Sequence, residues 1–223
     1  MPLHPVIAPE ILALRPDFTP LSIAVAGGAN RDSDGAGARR LAEVVAGLDA
    51  ANWAEVPLAA CRGFGARPRR TPCSAEALRD GGLRPVDAVV DLDNAVSLRH
   101  AIPVGGEDAA ADAGAPTLRR VRGSEPFDTV AEVPEPGEVI RCDATGVTCR
   151  RWNWRQGRRS QLTGASRDRW FVPERLEPMP MAALIAAGAS LVHGLLALSP
   201  AAAITATIPD RDWPRGRPVA LDA

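Results

Sequence analysis

Hydrophobic and polar positions predict strands and helices in a mixed order along the first half of the chain. Residues 21–26 form a short apolar run between proline and glycine, which is typical of a buried strand. Residues 39–60 carry apolar side chains at helical spacing, and Ser74 is a candidate N-cap for a short helix. Residues 86–92 begin as a strand-like run and lead into a helical pattern. This half therefore predicts one strand followed by several helices.

The second half of the chain is richer in strand patterns. Residues 138–142 and 147–154 are alternating segments joined by Asp-Ala-Thr-Gly, which is a strong hairpin signal. Further strands are predicted, and residues 209–223 are expected to form a loose tail. These strands cover residues 118–121, 127–130, 170–172 and 203–208. Because the strands and helices do not alternate regularly, the fold class is predicted to be α+β, with mixed sheets and flanking helices.

Residues 181–199 carry no formal charge and approach the length of a membrane span. Their bulky residues fall on one side of a helix, with small residues elsewhere, which predicts a helix packed on a core and no membrane partner. We see no signal-peptide pattern at the N-terminus, and the four cysteines contain no CxxC pair. We therefore expect a cytoplasmic protein with reduced thiols.

Charge is distributed unevenly, although the formal net charge of the 223 residues is only −1. Residues 76–138 contain 13 acidic side chains and 6 arginines, whereas residues 141–175 contain 9 arginines and 3 acidic side chains. All basic residues other than histidine are arginines. A wholly basic nucleic-acid coat is excluded, but a local basic surface is not.

Residues 150–160, RRWNWRQGRRS, concentrate both arginine and tryptophan. If this segment is a strand, Arg150, Trp152 and Trp154 share one face, and Arg151, Asn153 and Arg155 share the other. Aromatic rings beside guanidinium groups suit stacked bases and phosphates. The alternative is that the tryptophans fill a core and the arginine stems cover a sheet.

No sequence motif for a hydrolase triad, a Walker loop or a dinucleotide fold is present. The three histidines are far apart in the sequence, so neither a His-metal site nor a Ser-His-Asp hydrolase is expected. We predict no metal and no cofactor.

Two segments resemble a known family. Residues 89–108, VVDLDNAVSLRHAIPVGGED, resemble the tRNA-editing B3/B4 domain of the phenylalanyl-tRNA synthetase beta subunit. Residues 134–163, with PGEV followed by WNWR, are similar to free-standing bacterial proteins built around that domain, and residues 171–174, FVPE, fit the strand that closes it. The resemblance implies a B3/B4-type fold with a pocket between two subdomains.

We expect one B3/B4-like unit over residues 1–223, with the family-matching core at about 62–177. Residues 1–61 would add a strand and a helix before this core. Residues 178–208 would add a helix and a strand after it, followed by the tail.

The resemblance implies a protein that binds tRNA or aminoacyl-tRNA at its acceptor end. Aminoacyl-tRNA deacylase activity in trans is a further hypothesis that the resemblance suggests. Such hydrolysis needs a positioned water and oxyanion stabilisation, but no nucleophilic serine or cysteine. The family's pocket histidine falls on Gly105 and its pocket glutamate on Arg158. Any hydrolysis would therefore use other groups, and Arg158 would favour an anionic moiety.

The candidate pocket residues on this basis are Asp91 at the mouth, with Asn94, Ser97, Asn153, Arg155 and Glu174. Glu174 would bind an α-ammonium group. The candidate RNA-binding residues are Arg150, Arg151, Trp152, Trp154, Arg158 and Arg159. Two alternatives stay open: a small-molecule binding protein that kept the pocket without tRNA activity, and a structural or interaction protein with the tryptophans in its core.

Overall fold

The computed structural model describes residues 5–47, 83–123, 125–127, 133–153, 155–210 and 213–221. Trp154, Cys61, Cys73 and the candidate cap Ser74 lie outside these residues. So do most of the predicted strand at 127–130 and the second half of the helix predicted at 39–60.

The described residues form two sheets. The first sheet has the strand order β1-β5-β6-β7-β8, and only its β1–β5 pair is parallel. Its strands are β1 (Val6–Ile7), β5 (Thr117–Arg120), β6 (Val139–Cys142), β7 (Val147–Arg150) and β8 (Arg155–Gln156). The predicted hairpin is confirmed, because β6 and β7 pair around the Asp143–Gly146 turn. The Asp143 carboxylate accepts bonds from the Thr145 and Gly146 backbone N–H groups and so fixes this turn.

The second sheet has the order β11-β10-β3-β9-β2, with β4 also paired to β9. Its strands are β2 (Thr19–Pro20), β3 (Ser22–Ala26), β4 (Val104–Asp108), β9 (Arg169–Arg175), β10 (Ala203–Asp210) and β11 (Trp213–Pro218). The strands predicted at 21–26, 170–172 and 203–208 are confirmed as β3, β9 and β10. The loose tail is wrong for 213–218, because β11 pairs antiparallel with β10.

Four helices are found in the described part of the chain: α1 (Pro9–Leu14), α2 (Gly35–Ala46), α3 (Ala88–His100) and α4 (Met181–Leu198). The strand-like start expected at 86–92 is wrong, since α3 begins at Ala88. Asp87 caps α3, and its carboxylate accepts bonds from the Val89 and Val90 N–H groups at 3.0 and 2.9 Å. Short apolar runs are compatible with either structure, and the cap decides for the helix.

Helix α4 is long and apolar enough to cross a membrane by length and composition alone. In the fold, it packs against α3 and β9, and its bulky side chains Leu184, Leu191 and Leu195 belong to the main core. The prediction of a helix packed on a core is therefore confirmed.

A smaller core lies under the first sheet. Trp152 is fully buried there and meets the edge of the Phe18 ring, with ring centroids 6.4 Å apart. The two cores leave a junction between the sheets, which β4 and β9 of the second sheet and β6 and β7 of the first sheet reach together.

Gly194 provides a test of the contact between α3 and α4. A Cβ atom at this position would stand 2.4 Å from Leu92 Cδ1, inside van der Waals contact. Gly194→Ala gains about 1 kcal/mol of helix propensity, whereas overpacking costs about 1–3 kcal/mol. We expect the variant to lower the free energy of unfolding, as measured by urea denaturation.

The matched control is Gly164→Ala, because a Cβ atom there meets nothing within 4 Å. It should leave the free energy of unfolding within about 0.5 kcal/mol. A Gly194→Ala protein as stable as the parent would show that the helices do not hold this spacing.

Candidate functional site

Arg141 lies between two glutamates at the junction of the sheets. It projects from β6, whereas Glu107 and Glu174 belong to β4 and β9 of the second sheet. Its Nη2 donates to Glu174 Oε1 at 2.9 Å, and its Nη1 is 3.8 Å from Glu107 Oε1. The guanidinium also lies 4.9 Å from the centre of the Trp170 ring. One arginine of the first sheet thus contacts both carboxylates of the second.

These three charged side chains are almost completely shielded from solvent, with 0–3% of each exposed. Burial raises the pKa of Glu174 to about 7, and it raises the pKa of Glu107 as well, despite the opposing charge of Arg141. Burial alone would lower the pKa of Arg141, but the two carboxylates raise it above its usual value. The arginine therefore remains a cation while its partners are easily protonated.

Glu107 is held by polar side chains of the first sheet and the loop that follows it. Thr148 Oγ1 donates to Glu107 Oε1 at 3.2 Å, and Gln156 and Ser160 also lower the pKa of this carboxyl. Gln156 Nε2 donates to Ser160 Oγ at 2.9 Å, which fixes both groups. The position of Glu107 is therefore set from both sheets.

Asp112 brings a third carboxyl group to the same place. Burial is the main cause that raises its pKa to about 7, and the charges of Glu107 and Asp143 raise it further. Within the described residues, neither oxygen of Asp112 meets hydrogen-bond geometry, nor does Glu107 Oε2, although the two carboxyl groups lie close enough for their interaction to raise the pKa of Asp112. Two neighbouring carboxyl groups therefore have free oxygen atoms in a largely buried place.

Further polar atoms at the junction are also unpaired within the part of the chain that the structure describes. They are the acceptor Glu174 Oε2 and the donors Arg141 Nη1 and Asn153 Nδ2, which miss hydrogen-bond geometry, although Trp152 and Asn153 lie close enough to Glu174 to lower its pKa. Leaving a buried polar group unsatisfied costs about 1–3 kcal/mol, so a set of them marks a place where a polar ligand or water fits. We call Glu107, Asp112, Arg141, Asn153 and Glu174 the Arg141 cluster.

The turn after β7 positions Asn153. Arg151 and Trp152 have positive φ angles of 50° and 65°, so the strand ends at Arg150 and the chain reverses. Asn153 then lies over Gly105, where a Cβ atom would stand 2.5 Å from Asn153 Oδ1. Only glycine at position 105 leaves room for this amide.

Two of the predicted pocket residues belong to the Arg141 cluster, namely Asn153 and Glu174. The predicted pocket residues Asp91, Asn94 and Ser97, which lie on α3, are not part of it. Asp91 accepts bonds from the Ser33 hydroxyl and the Val86 N–H, and Ser97 Oγ donates to Ile102 O at 2.7 Å at the end of α3. Asn94 is partly buried on α3 and, among the described residues, has no hydrogen bond to the cluster. These three residues lie on helix α3, and their grouping with Asn153 and Glu174 is corrected, because the hydrogen bonds of Asp91 and Ser97 go to residues outside the Arg141 cluster.

The predicted RNA-binding strand is also corrected. Because the chain turns at 151–153, residues 150–155 do not alternate between two faces. Arg150 is 5% exposed, and its guanidinium donates hydrogen bonds to both carboxylate oxygens of Glu138 at 3.0 and 2.9 Å. Arg159 donates to both oxygens of Asp143 at 2.8 and 2.9 Å, and Trp152 is core.

Three predicted positions keep some access to solvent. Arg155 and Arg158 are exposed, and Arg151 is partly buried. The Arg155 guanidinium lies 6.0 Å from the centre of the Phe127 ring. Because Arg158 faces solvent, the reversed pocket charge expected from it is wrong.

Sequence reasoning missed Glu107, Asp112 and Arg141 as site residues. Glu107 occupies a buried position of the alternating strand β4. Arg141 is flanked by Ile140 and Cys142 in a strand whose residues are all buried. For Arg141, a charged residue inside an apolar strand was the available signal.

The thiols offer no nucleophile in the described residues. Cys142 and Cys149 are free and buried, and burial raises the pKa of Cys149 to about 12. No group of three or more potential metal ligands occurs among the residues that the structure describes.

Arg150 and Arg158 separate a structural arginine from an exposed one. Arg150→Ala leaves the nearly buried Glu138 carboxylate without its partner and should lower the free energy of unfolding by about 3 kcal/mol. Arg158→Ala should change it by less than about 0.5 kcal/mol. Urea denaturation of both variants measures this, and equal losses would contradict the assignment.

Asp112 should make stability depend on pH. Its pKa is raised to about 7 in the folded protein, so the folded state holds a proton that the unfolded state has released. That contribution is complete below the usual aspartate pKa and is lost as the pH rises through 7. Asp112→Asn removes this loss. We expect the free energy of unfolding of the variant, relative to that of the parent, to be about 1–2 kcal/mol higher at pH 8 than at pH 5, as measured by urea denaturation.

Glu174 titrates in the same range, so Asp112→Asn reduces the pH dependence without abolishing it. Asp32→Asn, at an exposed aspartate, is the matched control and should not change the pH dependence. The same gain for Asp112→Asn at both pH values would show that Asp112 ionises normally.

The fold has relatives among solved structures. The crystal structure of an N-terminal fragment of the phenylalanyl-tRNA synthetase beta subunit from Pyrococcus horikoshii matches with a TM-score of 0.52 and 9% identity. The match covers 96% of this chain and 53% of that fragment, so the chain spans about half of its length. At this identity, the likeness shows a shared fold.

A search of curated proteins finds no match. The family model for the B3/4 domain matches residues 59–183, which is more than half of the chain. The α+β architecture with two sheets agrees with that assignment, and the chain belongs to the B3/4 domain family.

Proposed function

We propose that this protein binds the aminoacylated 3′ end of a tRNA at the Arg141 cluster and hydrolyses the ester of a wrongly attached amino acid. The observation that carries the proposal is the set of unpaired, buried polar atoms at the junction of the sheets. The family resemblance implies a pocket between two subdomains, and the cluster lies between the two sheets. A cytoplasmic location goes with this proposal.

Glu174 is assigned to the α-ammonium group of the amino acid. Its Oε1 is engaged by Arg141, whereas its Oε2 is unpaired and can accept a bond from a cation. The cluster contains three carboxyl groups and one arginine, so its ionised form has an excess of negative charge. A bound ammonium group would offset that excess, and this favours a free α-amino group on the substrate.

Glu107 and Asp112 are assigned to the water that attacks the ester carbonyl. Both have raised pKa values, and that of Asp112 is raised to about 7, where a base is efficient in proton transfer at neutral pH. The water oxygen bonds to the carbonyl carbon while one carboxylate takes the water proton. When the ester C–O bond breaks, the same proton passes to the ribose oxygen.

Arg141 and Asn153 are assigned to the oxyanion. Arg141 Nη1 and Asn153 Nδ2 are unpaired N–H donors in the same cluster. In a place shielded from water, such donors stabilise the negative charge that develops on the carbonyl oxygen. The site would thus use acid–base and electrostatic catalysis, with no covalent intermediate.

The RNA contacts are assigned to Arg151, Arg155 and Arg158, because Arg150 and Arg159 are held by acidic partners. Fewer arginines are then available for phosphate contacts than the sequence predicted. The affinity for tRNA should therefore fall less steeply with salt concentration than it would if all of them bound phosphate. The same pairing of Arg150 and Arg159 favours the second candidate function. In that alternative, the cluster binds a free amino acid or a similar cationic metabolite without tRNA.

The test is a deacylation assay over a panel of mischarged tRNAs. We expect the parent protein to hydrolyse at least one pair and Glu107→Gln to lower kcat by about 100-fold, since general base catalysis supplies about 10²–10⁴-fold. Glu174→Gln should mainly raise KM, because it weakens ammonium binding.

Glu43→Gln is the matched control, since Glu43 is exposed on α2 away from the cluster. It should have the parent's kcat and KM. Flat time courses for every tRNA would contradict the deacylase. Calorimetric binding of a free amino acid that Glu174→Gln abolishes would then support the second candidate.

A further inference from the structure

A second concave site lies in a groove that α2, α3 and α4 line. Its cavity volume is about 220 Å³. Its lining includes Arg40 from α2, Arg99 from α3 and His193 from α4. It shares no residue with the Arg141 cluster, so it is a separate site.

The rim of this groove is cationic. Arg40 and Arg99 are both exposed, and neither guanidinium has a hydrogen bond or an ion pair with another residue in the described parts of the chain. Burial lowers the pKa of the nearby His100, and the charge of Arg99 lowers it further. Within the part of the chain that the structure describes, the groove therefore has two arginines without counter-ions.

Two further polar side chains lie beside these charges. Ser190 lines the groove, and its Oγ is hydrogen-bonded to His100 Nε2 at 2.9 Å. His193 is exposed on the next turn of α4. Two guanidinium groups with a hydroxyl and an imidazole form a donor set that suits a phosphate group, because planar guanidinium groups bind phosphate with paired hydrogen bonds.

Acidic groups near Arg40 are already engaged. A smaller adjoining cavity shares Arg40 and contains Asp34 and Asp91. Asp34 pairs with Arg31 at 3.2 Å, and Asp91 accepts from Ser33 and Val86. Among the described residues, neither carboxylate forms an ion pair with Arg40.

The floor of the groove is apolar and shallow. Ala95, Gly194 and Ala197 present small side chains or none, and Leu92 and Val96 complete the surface. Gly194 allows α3 and α4 to approach closely, because a Cβ atom there would overlap Leu92. An apolar floor of small side chains accepts a planar ring, whose apolar faces would cover it.

We propose that this groove binds a small organic phosphate, with the phosphate between Arg40 and Arg99 and a planar ring on the alanine–glycine floor. The charge of the rim matches a phosphate dianion, and the volume fits a ligand of nucleotide size better than a bulky partner. The site does not depend on the function proposed for the Arg141 cluster.

The test is calorimetric titration of the full chain with adenosine 5′-monophosphate as the probe. We expect Arg40→Gln and Arg99→Gln each to raise Kd by about tenfold, since each removes a charge-assisted contact to phosphate. Adenosine without the phosphate should bind at least about tenfold more weakly, and inorganic phosphate should compete with the probe.

Two further variants keep the result interpretable. Arg122→Gln removes an exposed arginine outside the groove and should keep the parent's Kd. Ala197→Trp fills the groove from an exposed position without touching either arginine, and it should abolish binding in a protein that still unfolds cooperatively.

An unchanged Kd in the Arg40→Gln, Arg99→Gln double variant would overturn the proposal. So would equal affinity for adenosine and its monophosphate. A short single-stranded RNA that binds through the same two arginines more tightly than the monophosphate would overturn it in favour of a nucleic-acid surface.

Discussion

The burial of Arg141 between Glu107 and Glu174 is the interaction on which the junction of the two sheets depends. Each partner comes from a different strand, and the arginine comes from the opposite sheet. A buried ion pair gains little net stability, because desolvation of the charges offsets their attraction. Apolar residues of similar volume would hold the sheets together at least as well. Net stability alone therefore does not account for the polar junction.

The charge balance of this junction constrains that ligand. One arginine faces three carboxyl groups, and the surrounding protein excludes water from most of them. Such a cluster reaches neutrality in two ways, by taking up protons or by binding a cation. The raised pKa values of Glu174 and Asp112 correspond to the first way, the uptake of protons. Binding of an ammonium group would replace those protons, so substrate affinity and proton release are linked.

Local patterns predicted those parts of the fold that local interactions determine. Strand β3, the β6–β7 hairpin and helix α4 follow from apolar spacing and from the Asp143–Gly146 turn. The error at 150–160 has a different origin, because positive φ angles at Arg151 and Trp152 interrupt an alternating pattern. Strand β11 was missed because its polar, glycine-containing sequence forms a strand only by pairing with β10.

The candidate site was less predictable than the fold, since its contacts join distant parts of the sequence. Glu174 and Asn153 were predicted as site residues, but the residues they contact were not. Glu174 is bonded to Arg141, and Asn153 lies over Gly105, and both contacts join residues that are far apart in the sequence. Glycine at the position of the family's histidine leaves the space that the Asn153 side chain occupies. A polar group is therefore still present beside position 105, but it comes from the turn after β7 and not from β4.

The two proposed sites carry opposite charges, although the net charge of the chain is only −1. In the Arg141 cluster, three carboxyl groups outnumber one arginine and are largely shielded from water, so a ligand there would have to replace the lost hydration completely. The proposed α2–α3–α4 groove is open and cationic, so a phosphate there would keep part of its hydration and bind at a smaller desolvation cost. The acidic cluster would therefore favour an ammonium group, and the two arginines of the rim would favour a phosphate.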